Sequence, residues 1–113
     1  MSAQHLRFPP FRLDVANNLL WREEHQIPLR PKALAVLRLL VEKSGQIVTR
    51  DELFHSVWGR TVVSDNVLKV CISEIREALG DNSTKPRFIE TLPKQGYRFI
   101  ALLATTQPVV SIQ

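Results

Sequence analysis

Asn66, Lys69, Val70, Ser73 and Arg76 recur at three- and four-residue steps, so on a helix they would share one face. As a set they have the chemistry of a reader of base-pair edges. Lysine and arginine donate to guanine or to phosphate, asparagine grips adenine on two atoms, and a small apolar group meets the thymine methyl. The same stripe would also suit an ordinary solvated face, because polar residues lie opposite the core side of almost any surface helix. Glu74 and Glu77 stand close to it, and carboxylates repel phosphate. A second group is cationic: over residues 85–98, Lys85, Arg87, Lys94 and Arg98 face only Glu90.

Nothing comparable points to catalysis, and no enzyme is expected. Cys71 and His55 are the only nucleophile–base candidates, and no third residue is marked to orient them. Cys71 comes three residues after Leu68 and four before Ile75, which is the place of a small buried hydrophobe. A redox-sensing thiol would instead need exposure and positive neighbours. His5, His25 and His55 are scattered without paired-ligand spacing, and no Gly-rich phosphate loop is present, so no metal or cofactor is expected.

The elements that must position the polar stripe can be read around it. Leu68, Ile72, Ile75 and Leu79, at intervals of four, three and four, form the buried side of the same helix. Ser64 or Asp65 would cap it and Gly80 would close it. A first helix is predicted from Pro31, with Leu34, Leu37, Leu40 and Val41 inward and Gly45 as the stop. After the extended link Gln46-Ile47-Val48, Thr49 and Glu52 have the spacing of a capping box. They open a short second helix carrying Leu53, Phe54, Val57 and Trp58, ended by Gly59. Before the helices, residues 11–15, 19–22 and 26–29 read as strands of a meander, with a tight turn at Asn17-Asn18 and Pro28 at an edge or strand end. After them, residues 87–91 and 97–101 read as a hairpin turning at Pro93–Gly96. Trp21 and Trp58 read as buried or half-buried anchors.

The order sheet, helix, helix, helix, hairpin is an α+β chain arranged as a winged helix-turn-helix. It has an N-terminal antiparallel sheet, three helices and a C-terminal β-hairpin wing. Such a frame holds the third helix proud of the surface, where it fits a major groove, while the hairpin reaches adjacent backbone or minor groove. The 113 residues, 44% hydrophobic and 23% charged, suit one globular domain. The expected bounds are residues 6–103, with 104–113 as a linker or disordered tail. No apolar run approaches the roughly 20 residues that span a bilayer, and the N-terminus has no signal-peptide pattern. No membrane contact is therefore expected, and a cytoplasmic location is the default. A lone cysteine agrees with a reducing compartment. The net charge of +4 is compatible with a polyanionic partner. It is spread evenly, with eight basic and six acidic residues in 1–57 and seven and five in 58–113, so each half is +2.

Several stretches carry a family resemblance: Phe11–Asp14, Leu29–Leu34, Gly45–Leu53, Val57-Trp58-Gly59, Val67–Leu79, Ile89-Glu90-Thr91 and Gly96–Phe99. Their order and spacing resemble the OmpR/PhoB-type winged-helix domain of bacterial transcription regulators, over about residues 8–101. The resemblance implies sequence-specific binding of double-stranded DNA, with a recognition helix at about 64–79 and a wing at about 87–101. Val70 and Arg76 would face bases or nearby phosphates, and Trp58 would touch the DNA backbone. Thr91 and Tyr97 would lie near phosphates, with Lys94 or Gln95 at the wing tip and Arg98 in the same hairpin. The 59–63 loop would be the segment that such proteins turn towards RNA polymerase.

The chain departs from this pattern at three positions. Ser73 and Glu74 stand where many members have two arginines, and Arg30 stands where many have threonine. The Ser-Glu pair, with Gly80-Asp81 after it, is similar to a CadC/ToxR-type branch in which the domain comes first. A sensor or signalling module follows it in that branch. The match begins within ten residues of Met1, which leaves no room for a receiver domain upstream. A competing reading is a winged helix used for protein–protein contact within a larger signalling protein, without DNA binding.

Overall fold

The computed structural model describes residues 5–104. Its N-terminal part is a meander of four short antiparallel strands in sequential order: β1 (His5–Phe8), β2 (Phe11–Asp14), β3 (Leu19–Arg22) and β4 (His25–Ile27). Alternation drives it: Phe11, Leu13 and Leu20 are buried, while Arg12 and Trp21 pair across the outer face. There the Arg12 guanidinium lies 5.3 Å from the indole centroid. The expected turn forms around Asp14, whose carboxylate accepts from the Asn17 backbone and side-chain nitrogens at 3.2 and 2.9 Å. Those bonds, led by the one from the Asn17 side chain, hold its pKa below the ordinary value. Asn18 takes the left-handed backbone that closes the turn. Pro28 follows the edge strand β4. Strand β1 is absent from the sequence expectation, because four residues ahead of Pro9-Pro10 are too few to show a period.

Three helices follow. Helix α1 (Pro31–Glu42) starts at its proline and buries Ala33, Leu34, Val36, Leu37, Leu40 and Val41. Helix α2 (Arg50–Trp58) has the complete capping box. The Glu52 backbone N–H donates to Thr49 Oγ1 at 3.1 Å, and the Thr49 N–H donates to Glu52 Oε1 at 3.0 Å. Helix α3 (Asp65–Leu79) buries Leu68, Ile72, Ile75 and Leu79, and packs on α1. Ser64 is its N-cap residue, though without a side-chain hydrogen bond, and Gly80 ends it in the left-handed region.

The wing differs from the expected two-stranded hairpin. Residues Ile47–Thr49 form a strand, β5, that pairs with β7 (Gly96–Phe99), which in turn pairs with β6 (Ile89–Leu92). A side chain at Gly96 would bring its Cβ to 2.9 Å from Thr49 Cα, so β5 and β7 can approach only at glycine. Strand β6 begins two residues later than expected. The Asp81 carboxylate takes the backbone N–H groups of Arg87, Phe88 and Ile89 at 2.7, 3.3 and 2.9 Å before the ladder starts. The two sheets meet through aromatic rings: Phe8 lies 5.0 Å from Phe99 and 6.1 Å from Phe88, and Phe11 lies 5.5 Å from Phe88. Beyond the wing, the Ala104 N–H donates to Arg7 O at 2.7 Å, bringing the chain back to β1. The rest of the expected tail, 105–113, lies outside the described residues.

Candidate nucleic-acid interface

Burying one stripe of α3 turns the opposite stripe outward. Asn66, Lys69, Val70 and Ser73 are exposed, as the spacing predicts, and so is Glu77. Between α3 and the wing runs an open groove of about 590 Å³, lined by Lys69, Ser73, Arg76, Glu77, Thr91 and Tyr97 among others. The fold thus brings five expected site residues from two distant segments onto one surface.

Arg76 corrects one expectation. It does not extend freely into solvent. Its Nη2 donates to Ile89 O and to Thr91 Oγ1, both at 2.8 Å, and the side chain is half-buried. Ridge position explains this, since Arg76 lies on the α3 flank nearest β6, where the Ile89 carbonyl and the Thr91 hydroxyl are within reach. Tyr97, opposite Thr91 in the register, is buried, and burial pushes its phenol pKa above the ordinary value. Arg76 and Arg50 partly offset that shift, so both cations lie near the phenol.

On the other flank of α3, two of the three departures noted from sequence meet. Arg30, at the N-cap of α1, makes a salt bridge through Nη2 to Glu74 Oε2. Glu74 is therefore not a free carboxylate beside the polar stripe. Its second oxygen, Oε1, is buried without a hydrogen-bond partner, as is Arg76 Nε on the opposite flank.

Four other expected site residues lie outside the α3 groove. Trp58 is only 9% exposed and packs 5.7 Å from the Phe54 ring, because α2 needs its apolar side covered. Arg98 points to the wing face opposite Tyr97, where Glu90 accepts from its Nε and Nη2 at 3.0 and 2.6 Å. That cross-strand pair neutralises it, so Arg98 does not join the α3 surface. Lys94 and Gln95 are exposed at the wing tip, but they line a second groove with Thr49, Arg50 and Phe54, next to the start of α2. Lys94 holds a left-handed backbone there. Arg30, Arg50 and Asp81 were not foreseen as contributors. Arg50 was visible only as part of a capping box, and the partners of the other two are set by tertiary contacts.

Cys71 is buried, and burial, helped by Glu74, pushes its thiol above the ordinary value. Among the described residues, no group of three or more His, Cys, Asp or Glu is placed to hold a metal ion. No helix among them is long and apolar enough to cross a membrane.

The sequence pattern of the family described as "Transcriptional regulatory protein, C terminal" matches residues 23–99. The chain belongs to this family. It is 37% identical over 84 residues to the transcriptional activator CadC of Escherichia coli K12, covering 74% of this chain and 16% of that protein. It is 38% identical over 108 residues to the transcriptional regulator HilA of Salmonella typhimurium, covering 96% of this chain and 19% of that one. The chain thus spans under a fifth of either relative's length.

Two solved structures agree. The DNA-binding domain of Klebsiella pneumoniae RstA, in complex with the RstA box, superposes with a TM-score of 0.77 at 30% identity. That match covers 86% of this chain and 97% of that one. The DNA-binding domain of E. coli CadC gives 0.76 at 29% identity, covering 92% and 99%. The resemblance to OmpR/PhoB-type winged helices, and to CadC-like regulators among them, holds in sequence and in fold.

Proposed function

We propose that this domain binds a specific double-stranded DNA site as the reading module of a bacterial transcription regulator. Helix α3 enters the major groove, and the wing rests on the adjacent backbone or minor groove. The observation that carries this reading is the Arg76 bridge, which fixes α3 and β6 as one surface around a polar groove. Asn66, Lys69, Val70 and Ser73 would meet base edges, with Thr91 and Tyr97 beside phosphates and Lys94 and Gln95 at the backbone. Trp58 and Arg98 are supporting residues in this reading.

The domain works by binding and not by catalysis, in the cytoplasm, within residues 6–103 of a longer regulator that carries a sensor or signalling module. The loop 59–63, where Val62 is 95% exposed, supplies a contact for RNA polymerase.

Titrations on a selected and a random duplex at several salt concentrations test the reading. Affinity falls steeply with salt on both, as expected when phosphates are neutralised. Lys69→Ala costs about 1–3 kcal/mol on the selected site and relaxes discrimination there. Lys94→Ala weakens both duplexes equally and lowers the salt slope by about one unit. Wild-type protein without salt-dependent binding would leave the protein-interaction module as the better reading.

A further inference from the structure

Glu74 poses a problem for a DNA-binding helix. It follows Ser73 on α3, one residue off the polar stripe, and a free carboxylate there would repel a duplex. The structure supplies the answer from a segment 44 residues earlier: the Arg30 guanidinium closes on Glu74 Oε2. The pair is asymmetric. The Arg30 side chain is 68% exposed, whereas Glu74 is 30% exposed and has its other oxygen buried. The carboxylate lies inward and the cation lies outward. Arg30 also directly precedes Pro31, with φ −67° and ψ 152°, so its backbone is fixed by the start of α1 and its side chain needs only one anchor. Lys32 adds a second charge at this end of α1, its Nζ donating to Val57 O at 3.0 Å. The α1 side of α3 is therefore flanked by cations, as Arg76 flanks the wing side.

We propose that Arg30 is a DNA-contacting residue positioned by Glu74: the carboxylate holds the guanidinium beside α3, where it meets a phosphate flanking the major-groove site. This rests on the DNA-binding reading above. Glu74 then favours binding, although its own charge has the wrong sign. Arginine suits the task because its five donors can serve a carboxylate and a phosphate at once.

The test is a double-mutant cycle on the folded 113-residue chain, read as duplex affinity at several salt concentrations. Arg30 is exposed and Glu74 half-buried, and a melting curve for each variant checks that it folds. Arg30→Ala lowers affinity several-fold on selected and random duplex alike, and lowers the salt slope by about one unit. Glu74→Gln also lowers affinity, despite removing a negative charge. Arg30→Ala with Glu74→Gln binds no worse than Arg30→Ala alone. If Glu74→Gln leaves affinity unchanged or raises it, if the two effects add, or if Arg30→Ala is neutral, the proposal is overturned. Wild-type chain that binds no duplex at all would instead overturn the DNA-binding reading itself.

Discussion

On its wing side α3 is tied down twice. Arg76 bonds a carbonyl and a hydroxyl of β6, and Asp81, just past the helix end, holds three consecutive backbone N–H groups that lead into that strand. On its α1 side, beyond the apolar packing of the two helices, the polar tie is one ion pair, Arg30 with Glu74, and most of the arginine is in water. The first flank is built mostly from bonds to backbone, which survive most side-chain changes in the partner. The second depends on two side chains that must be replaced together. A winged helix set up this way keeps helix and wing in fixed register, yet leaves the other edge of the reading surface open to variation.

The largest effect should come from Asp81. Asp81→Ala strips acceptors from the N–H groups of Asn82, Arg87, Phe88 and Ile89, and should cost about 2–4 kcal/mol in denaturant unfolding. Asp81→Asn keeps one oxygen and should recover part of the loss. A cost below about 0.5 kcal/mol for the alanine variant would mean that the wing is held by packing alone, which breaks the contrast.

Arg76→Ala comes next, at about 1–2 kcal/mol for charge-assisted bonds that are partly solvated. Its signature is local: faster amide exchange around Thr91 and Tyr97, with exchange in α1 unchanged. Arg30→Ala provides the comparison, because an exposed pair should change stability by only about 0–1 kcal/mol. Equal costs for the two arginines would show that the flanks are held alike.

What could be read from the sequence follows the range of the interaction. The α3 stripe, the Thr49–Glu52 box, Gly59 and Gly80 at the ends of α2 and α3 and the Asn17-Asn18 turn are all set by residues within four or five positions. They were found where expected. Helix α1 instead ends at Glu42 with Lys43 as its cap, short of the expected stop at Gly45. Strand β5 read as a bare link because three residues cannot show a period, and only its pairing with β7 makes it a strand. Trp58, Tyr97 and Arg98 were named for their residue types and for the family they resemble. Their orientation follows from which side of α2 or the wing needs covering, and that depends on the assembled core. The same limit separates Arg30 from Glu74: each looked like an isolated departure, and they are one contact.

The smallest effect uses Cys71 as a reporter on the α1 flank. Burial raises its thiol pKa above the ordinary 9.0, Glu74 adds to the rise, and Arg30 and Lys32 pull against it. A raised value means the folded state holds this proton more tightly than the unfolded one. The stability it contributes is complete below pH 9.0 and is lost as pH rises through the folded value. Tyr97 acts with the same sign from its ordinary 10.0 upward, so unfolding should become easier in alkali and stay flat near neutrality. Thiol labelling isolates the cysteine. Native protein should react slowly and denatured protein fast, because reagent and thiolate both need access. Arg30→Ala should slow the native reaction further at alkaline pH by removing a cation, and Glu74→Gln should speed it by removing the nearby negative charge. Rapid labelling of the native wild type near neutral pH would show a thiol open to solvent. The α1 flank would then be looser than a closed ion pair over a buried cysteine allows.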